Sequence, residues 1–396
     1  MDWVETTCSL VPEAAADLAA LGRLYEGKLY HELTLALETF VNDPGHQGRG
    51  RLLLDLEQHF LSKFEGKLNQ LRYALIFGAI VRASVEAGGT LSGPEGIAKL
   101  EGALEAKGAR LGVEPGLLLR FDVALLKLAA PRGPDAAAEL ASVKAALDDA
   151  QPTMDALTGA TDTAVFRKYY AARSEYYKQV GPPEAFYRSA ISLLGYAAVD
   201  DMAPAARRTL ATDVALAALA GDGVYNFGEV LATPILGALE GTADAWLGEL
   251  LRVFARGDVD AFNALLGAHK DAYVAQPALV ARAAFVKEKI ALLAFMNLVF
   301  ETPSHERSLP FAAIADRAKL DGDQVEWLAM RAMALGLVKG VIDEVDRVVD
   351  VAWVAPRVLD ADQTRHLIAS IDALSDKSAH AHGLLADQTL ELLNTN

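Results

Sequence analysis

Apolar residues recur at helical spacing along most of the chain. Val165, Tyr169, Ala172 and Tyr176 follow i, i+4, i+7, i+11 and so form one stripe on one helix. Leu52, Leu56, Phe60 and Phe64 form another. Between such stripes stand residues that stop helices or turn the chain: Asn42-Asp43-Pro44-Gly45, Ala87-Gly88-Gly89, Pro131-Arg132-Gly133-Pro134, Gly181-Pro182-Pro183, Gly221-Asp222-Gly223 and Gln276-Pro277. The pattern up to about residue 300 is therefore helix, short break, helix. Each helical hairpin leaves an apolar face that only its neighbours can cover, which predicts an α-solenoid. Leu21-Gly22-Arg23-Leu24-Tyr25 is faintly similar to a tetratricopeptide core, but no 34-residue period repeats cleanly, so the repeats are degenerate.

The period changes after about residue 305. Phe311, Ile314, Ala315 and Ala318 make a short helix stripe, and Lys319-Leu320-Asp321-Gly322 a turn. Asp323 and Glu326 suggest a capping box opening a second helix, whose stripe is Val325, Leu328, Ala329, Ala332 and Leu335 and whose stop is Gly336. Val338–Asp343 and Arg347–Val354 are β-branched and strand-length, joined by Glu344-Val345-Asp346. Helix, turn, helix, β-hairpin is a winged helix. Trp353 alternates with Val349 and Val351, which places it in the winged-helix core, with a partner anchor as the other reading. The last segment returns to helix. Leu367, Ile371, Leu374, Ser378, Ala381, Leu385, Gln388 and Leu392 step by fours and threes, a heptad seam with weak polar positions and Gly383 in its middle.

The 396 residues carry 53 acidic and 37 basic side chains, a net charge of −16, with 52% of residues in the hydrophobic set. Bulk disorder is excluded by that apolar content. Much of it is alanine, the best helix former, which reinforces the mostly α reading. The start Met1-Asp2-Trp3-Val4-Glu5 has neither a basic nor an apolar stretch of a secretory signal. The run Tyr73–Val81 lies between Arg72 and Arg82 and is too short for a bilayer. One cysteine, Cys8, rules out an intrachain disulfide framework. An intracellular, soluble chain is expected.

A helical-repeat array running into a winged helix and a terminal helix resembles the PCI-domain proteins, the scaffold subunits of the proteasome lid, the signalosome and translation initiation factor three. Three segments carry a closer likeness to a PCI subunit of the proteasome lid: Gly223-Val224-Tyr225-Asn226-Phe227-Gly228-Glu229, Gly336–Asp346 and Trp353-Val354-Ala355-Pro356-Arg357-Val358-Leu359. The likeness is sharpest over residues 185–360. It implies a structural subunit without catalysis or cofactor, a hetero-oligomer found in cytoplasm and nucleus as part of the proteasome. It implies side-by-side winged helices, radiating arms and a bundle of C-terminal helices. The implied partners are a PCI neighbour, a metalloprotease-like pair and a docked ubiquitin receptor, with no nucleic acid and no membrane. The corresponding organisation is an arm over 1–184, the helical part of the PCI domain over 185–304, the winged helix over 305–359 and the bundle helix over 360–396.

Catalytic patterns are absent. His380-Ala381-His382 supplies half of a zinc isopeptidase motif, but no Ser-x-x-Asp follows, and i, i+2 residues do not share a helix face. His31-Glu32 meets Leu35 where a zincin helix needs histidine. Asp148-Asp149 and Asp200-Asp201 read as charges at helix ends. Cys8 lacks a base, and the glycines at 221, 223 and 228 have the wrong spacing for a dinucleotide loop. A nucleic-acid-binding winged helix is the alternative of a different class. Residues 305–359 hold seven basic against nine acidic side chains, and the second helix only Arg331 against Glu326, which favours protein contact. The candidate contacts are Lys339, Val341 and Arg347 on the hairpin, and Leu367, Ile371, Leu374, Leu385 and Leu392 on the terminal helix.

Overall fold

Most breaks in the apolar pattern become helix ends. In the computed structural model, which describes all but residues 1–2, 4–5, 9–10, 48, 87–89, 132–135, 158–161, 304–305, 359–360 and 395–396, two units divide at Met202/Ala203. The expected breaks at 87–89 and 132–134 lie outside the described residues.

The first unit contains α1 (Ala15–Glu26), α2 (Tyr30–Asn42), α3 (Gly50–His59), α4 (Gln70–Glu86), α5 (Gly93–Leu111), α6 (Val113–Ala129), α7 (Ala136–Ala156), α8 (Thr163–Val180) and α9 (Pro183–Tyr196). Neighbours in sequence pack as hairpins, α1 on α2, α3 on α4, α5 on α6 and α8 on α9, while α4 and α6 lie centrally. The Val165, Tyr169, Ala172, Tyr176 stripe is buried in one continuous core. The Leu52–Phe64 stripe is buried too, but it is not one helix: α3 stops at His59, and two 3-10 turns carry Leu61–Lys63 and Glu65–Lys67. Asp148 and Asp149 sit inside α7, which continues through Pro152, and not at its end. A capping box forms at α5, where Ser92 and Glu95 satisfy each other's backbone N–H groups.

A charged pair is buried in this core. Asp122 of α6 is fully buried and meets Lys168 of α8 and, at 3.3 Å, Arg82 of α4. Desolvation pushes the Lys168 ammonium down from its usual range, and the Asp122 carboxylate works against that. The triad ties three helices together through a carboxylate that has no solvent to fall back on.

The second unit contains α10 (Pro204–Ala220), α11 (Ala245–Arg256), α12 (Val259–Ala268), α13 (Ala283–Glu301), β1 (Ser308–Pro310), α14 (Phe311–Ala318), α15 (Gly322–Ala334), β2 (Val338–Asp343), β3 (Val348–Val354) and α16 (Ala361–Asn394). The long apolar helix α13 touches α10, α11, α14, α15 and β3 and forms the axis of the unit. The winged helix is present with a three-stranded antiparallel sheet, ordered β1-β3-β2. Strand β1, three residues ending in proline, carried no alternation to detect and was not expected. The Asp323/Glu326 capping box does not form: Asp321 is the N-cap, without a side-chain bond, and Asp323 falls inside the first turn.

Candidate protein-interaction site

The site begins where α10 ends. The last carbonyls of a helix have no partner within it. Here Lys289 of α13, fully buried, donates from Nζ to the carbonyls of Ala218 (2.7 Å), Leu219 (3.3 Å) and Gly221 (2.9 Å). The rings of Tyr225, Phe227 and Phe285 surround the ammonium at 5.2–5.5 Å. Burial pushes Lys289 down to about 7, with Asp222 raising it and Arg282 lowering it further. Tyr225 is pushed up to about 12, first by burial and then by Glu288. Arg282 also pairs with Asp222 at 3.2 Å. These contacts hold the loop 221–229 against α13.

That loop in turn holds the exit from the winged helix. Asn226 donates from Nδ2 to Glu229 at 2.9 Å, and its Oδ1 accepts the Val358 N–H at 3.0 Å. Gly228 lies under Val358 so closely that a Cβ there would come within 2.7 Å of the Val358 side chain and carbonyl. The Arg357 guanidinium covers the Phe300 ring at 4.5 Å, and the Ala355 N–H donates to the Leu337 carbonyl at 2.8 Å. Segments 223–229 and 353–358 therefore meet, at the root of α16. A cleft of about 980 Å³ opens beside this root, lined by Asn226, Asn297, Arg357 and Val358 among others.

The outer face of the hairpin is the second part. Lys339 pairs with Trp353 but Gly340 pairs with Val351, so Ala352 is an extra residue in β3. This bulge reverses the alternation. Val349 and Val351 face the core, and Trp353 faces out, 40% exposed, where Lys339 Nζ lies 4.9 Å from its ring centroid. The expectation of Trp353 in the core is thus corrected: a period-two pattern cannot foresee an inserted residue. Gly340 makes the bulge possible, since a Cβ would fall 2.1 Å from the Asp350 carbonyl oxygen. Val341 is exposed on the same outer face, and Arg347 is exposed in the turn at φ 52°. Among the described residues β1 and β2 are the two edges of the sheet, and the β2 edge carries Lys339 and Val341.

The terminal helix α16 runs unbroken for 34 residues. Every side chain from Leu367 to Leu385 is exposed, and Leu367, Ile371, Leu374 and Leu385 are each 46–68% exposed. Ile368 and Leu384 widen the stripe. The side chain of Leu392 lies outside the described residues.

The cations of the winged helix are engaged internally. Arg331 donates to Glu288 at 2.8 Å, Arg317 to Glu301 at 2.8 Å, and Lys319 lies 3.3 Å from Asp316. Arg307 donates to the Thr302 carbonyl, Arg357 covers Phe300 and Lys339 covers Trp353. Among the described residues, Arg347 is the one basic side chain of this module without such a contact. Among the described residues, no group of three or more His, Cys, Asp or Glu side chains could hold a metal ion, and no helix is long and apolar enough to cross a membrane.

Comparison with known proteins matches residues 17–251 to the PSD13 N-terminal repeats and residues 266–353 to the PCI domain. The 26S proteasome non-ATPase regulatory subunit 13 homolog A of Arabidopsis thaliana is 33% identical over 377 residues, 95% of each chain. The chain belongs to the family of 26S proteasome non-ATPase regulatory subunit 13. The 26S proteasome regulatory subunit RPN9 of Saccharomyces cerevisiae is 30% identical over 348 residues, 86% of this chain and 84% of the yeast protein. The eukaryotic translation initiation factor 3 subunit M of Aspergillus terreus is 32% identical over only 137 residues, 35% of this chain and 29% of that one. In this subunit 13 family member the PCI match ends at residue 353, just before the root of α16.

The candidate residues of the hairpin lie on β2 and in the turn before β3, and those of α16 on a different element. Lys289, Asn226 and Gly228 were missed as functional candidates. The one signal in the sequence was that 223–229 and 353–359 both carry the family likeness; nothing in either says that they touch.

Proposed function

We propose that this chain is a non-catalytic scaffold subunit of the lid of a proteasome regulatory particle, supporting ATP- and ubiquitin-dependent protein degradation by assembly alone. The observation that carries the reading is α16, a 34-residue helix whose apolar seam its own chain leaves exposed from Leu367 to Leu385. An exposed apolar seam of this kind gains by joining other helices. Lys339, Val341 and Arg347, beside the open β2 edge, contact a neighbouring PCI subunit. Leu367, Ile371, Leu374, Leu385 and Leu392 enter a bundle of C-terminal helices. The functional modules are an arm over 1–184, the helical part of the PCI domain over 185–304, the winged helix over 305–359 and the bundle helix over 360–396. The metalloprotease-like pair and a ubiquitin receptor near the arm complete the set of neighbours, in cytoplasm and nucleus. The family membership and the internal pairing of the winged-helix cations support this reading over a nucleic-acid reader. Affinity purification of the tagged full chain, with mass spectrometry of what accompanies it, is the test. Lid subunits together with proteasome ATPases are expected; signalosome or initiation-factor subunits in their place overturn the proposal.

A further inference from the structure

We infer that the loop 221–229 is a latch that sets the direction in which α16 leaves the winged helix, with Asn226 and Gly228 as positioning residues for assembly. The inference rests on the scaffold reading for its purpose and on geometry for its mechanism.

A helix of 34 residues is about 51 Å long at 1.5 Å per residue. A tilt of 10° at the root moves its far end by about 9 Å, more than one helical turn of about 5.4 Å. Knobs displaced by that much miss their holes, so a bundle helix with a free root reaches its partners in the wrong register. The side chains from Leu367 to Leu385 are exposed and supply no burial that would steer the helix. Direction is therefore set near the root, where four contacts converge: the Val358 N–H on Asn226, Val358 on Gly228, Arg357 on Phe300 and Ala355 on Leu337. The first two come from a loop distant in sequence that is itself clamped by Lys289 and Arg282. The cleft beside the root leaves Val358 open on its other side. A loop that did no more than connect α10 to the next helix would not need its asparagine aimed at the backbone of residue 358.

The role of Asn226 has a built-in rescue. Its Oδ1 accepts from Val358 while its Nδ2 donates to Glu229. Asn226→Ala removes both bonds. The double variant Asn226→Asp with Glu229→Gln restores both, the new carboxylate accepting from Val358 and from the glutamine amide.

The test uses the full chain in a Cys8→Ser background, with spin labels at two exposed positions, Asp323→Cys on α15 and Ala379→Cys on α16. Pulsed electron paramagnetic resonance reads the distance distribution between them. Losing the one bond that joins the loop to Val358 raises the unlatched population about fivefold, so Asn226→Ala broadens the distribution and the double variant narrows it again. Gly228→Ala shifts the mean distance, because the added Cβ displaces Val358. In co-expression with lid subunits, Asn226→Ala incorporates about fivefold less while its thermal melt stays close to that of the parent. An unchanged distribution in Asn226→Ala, or no recovery in the double variant, overturns the latch. A broadened distribution with full incorporation overturns its role in assembly. If the parent chain itself joins no lid subunits, the scaffold reading falls and the distance measurement alone decides the latch.

Discussion

Replacing Leu367, Ile371, Leu374 and Leu385 together by serine separates folding from assembly. Each of these side chains is roughly half exposed in the free chain, so about half of its area remains to be buried in a partner bundle. Full burial of a large aliphatic side chain is worth about 1.5–3 kcal/mol, so the remaining half contributes roughly 1 kcal/mol. Four such losses amount to roughly 4 kcal/mol, or about a thousandfold in affinity. The entropy lost on association is common to both chains and cancels in the comparison. Within the free chain the same substitutions remove little: the helix loses a few tenths of a kcal/mol of intrinsic propensity per site, and the core of the unit loses nothing. The assay pairs calorimetry of the isolated chain with a binding titration against co-purified lid subunits. The expected result is a melting temperature within about 2 °C of the parent and a dissociation constant about a thousandfold weaker. Wild-type affinity would refute the seam as an interface. A melting temperature lowered by more than about 5 °C would show that the seam belongs to the chain's own core.

Reversing the charge of Lys339 and Arg347 to glutamate should weaken assembly while moving the melt by no more than about 1 °C, since both side chains are exposed; assembly at parental strength counts against the hairpin face. Asp122→Ala strands Lys168 and Arg82 without their carboxylate and should cost about 3–5 kcal/mol in chemical denaturation; a loss under about 1 kcal/mol would show that the triad does not bind the three helices. Lys289 should make stability rise with pH: its folded-state pKa is about 7 against 10.5 unfolded, so between these values the unfolded chain binds more protons and loses ground as pH increases. The unfolding free energy of the parent relative to Lys289→Met should accordingly climb from about pH 7 to about pH 9, and a flat difference disproves the shift.

The helical arm, the winged helix and the terminal seam were all legible in the chain, because each rests on a periodicity that local spacing records. The heptad steps from Leu367 to Leu385 predict one apolar stripe on a helix, and the structure leaves that stripe exposed. Turn chemistry was legible at Gly221-Asp222-Gly223 and at Gly181-Pro182-Pro183, where α10 and α8 end. Tertiary structure decided what spacing cannot hold. One inserted residue, Ala352, turned Trp353 outward, and strand β1 exists only because β3 offers it an edge. Lys289, one of two lysines on α13, meets its three carbonyl acceptors only because the end of α10 packs against it. Asn226 and Val358 are 132 residues apart, and their bond is a product of two elements packing on α13. Periodicity is a property of neighbours along the chain, whereas a hydrogen bond between distant segments depends on the packing of everything between them, and only the folded molecule contains that.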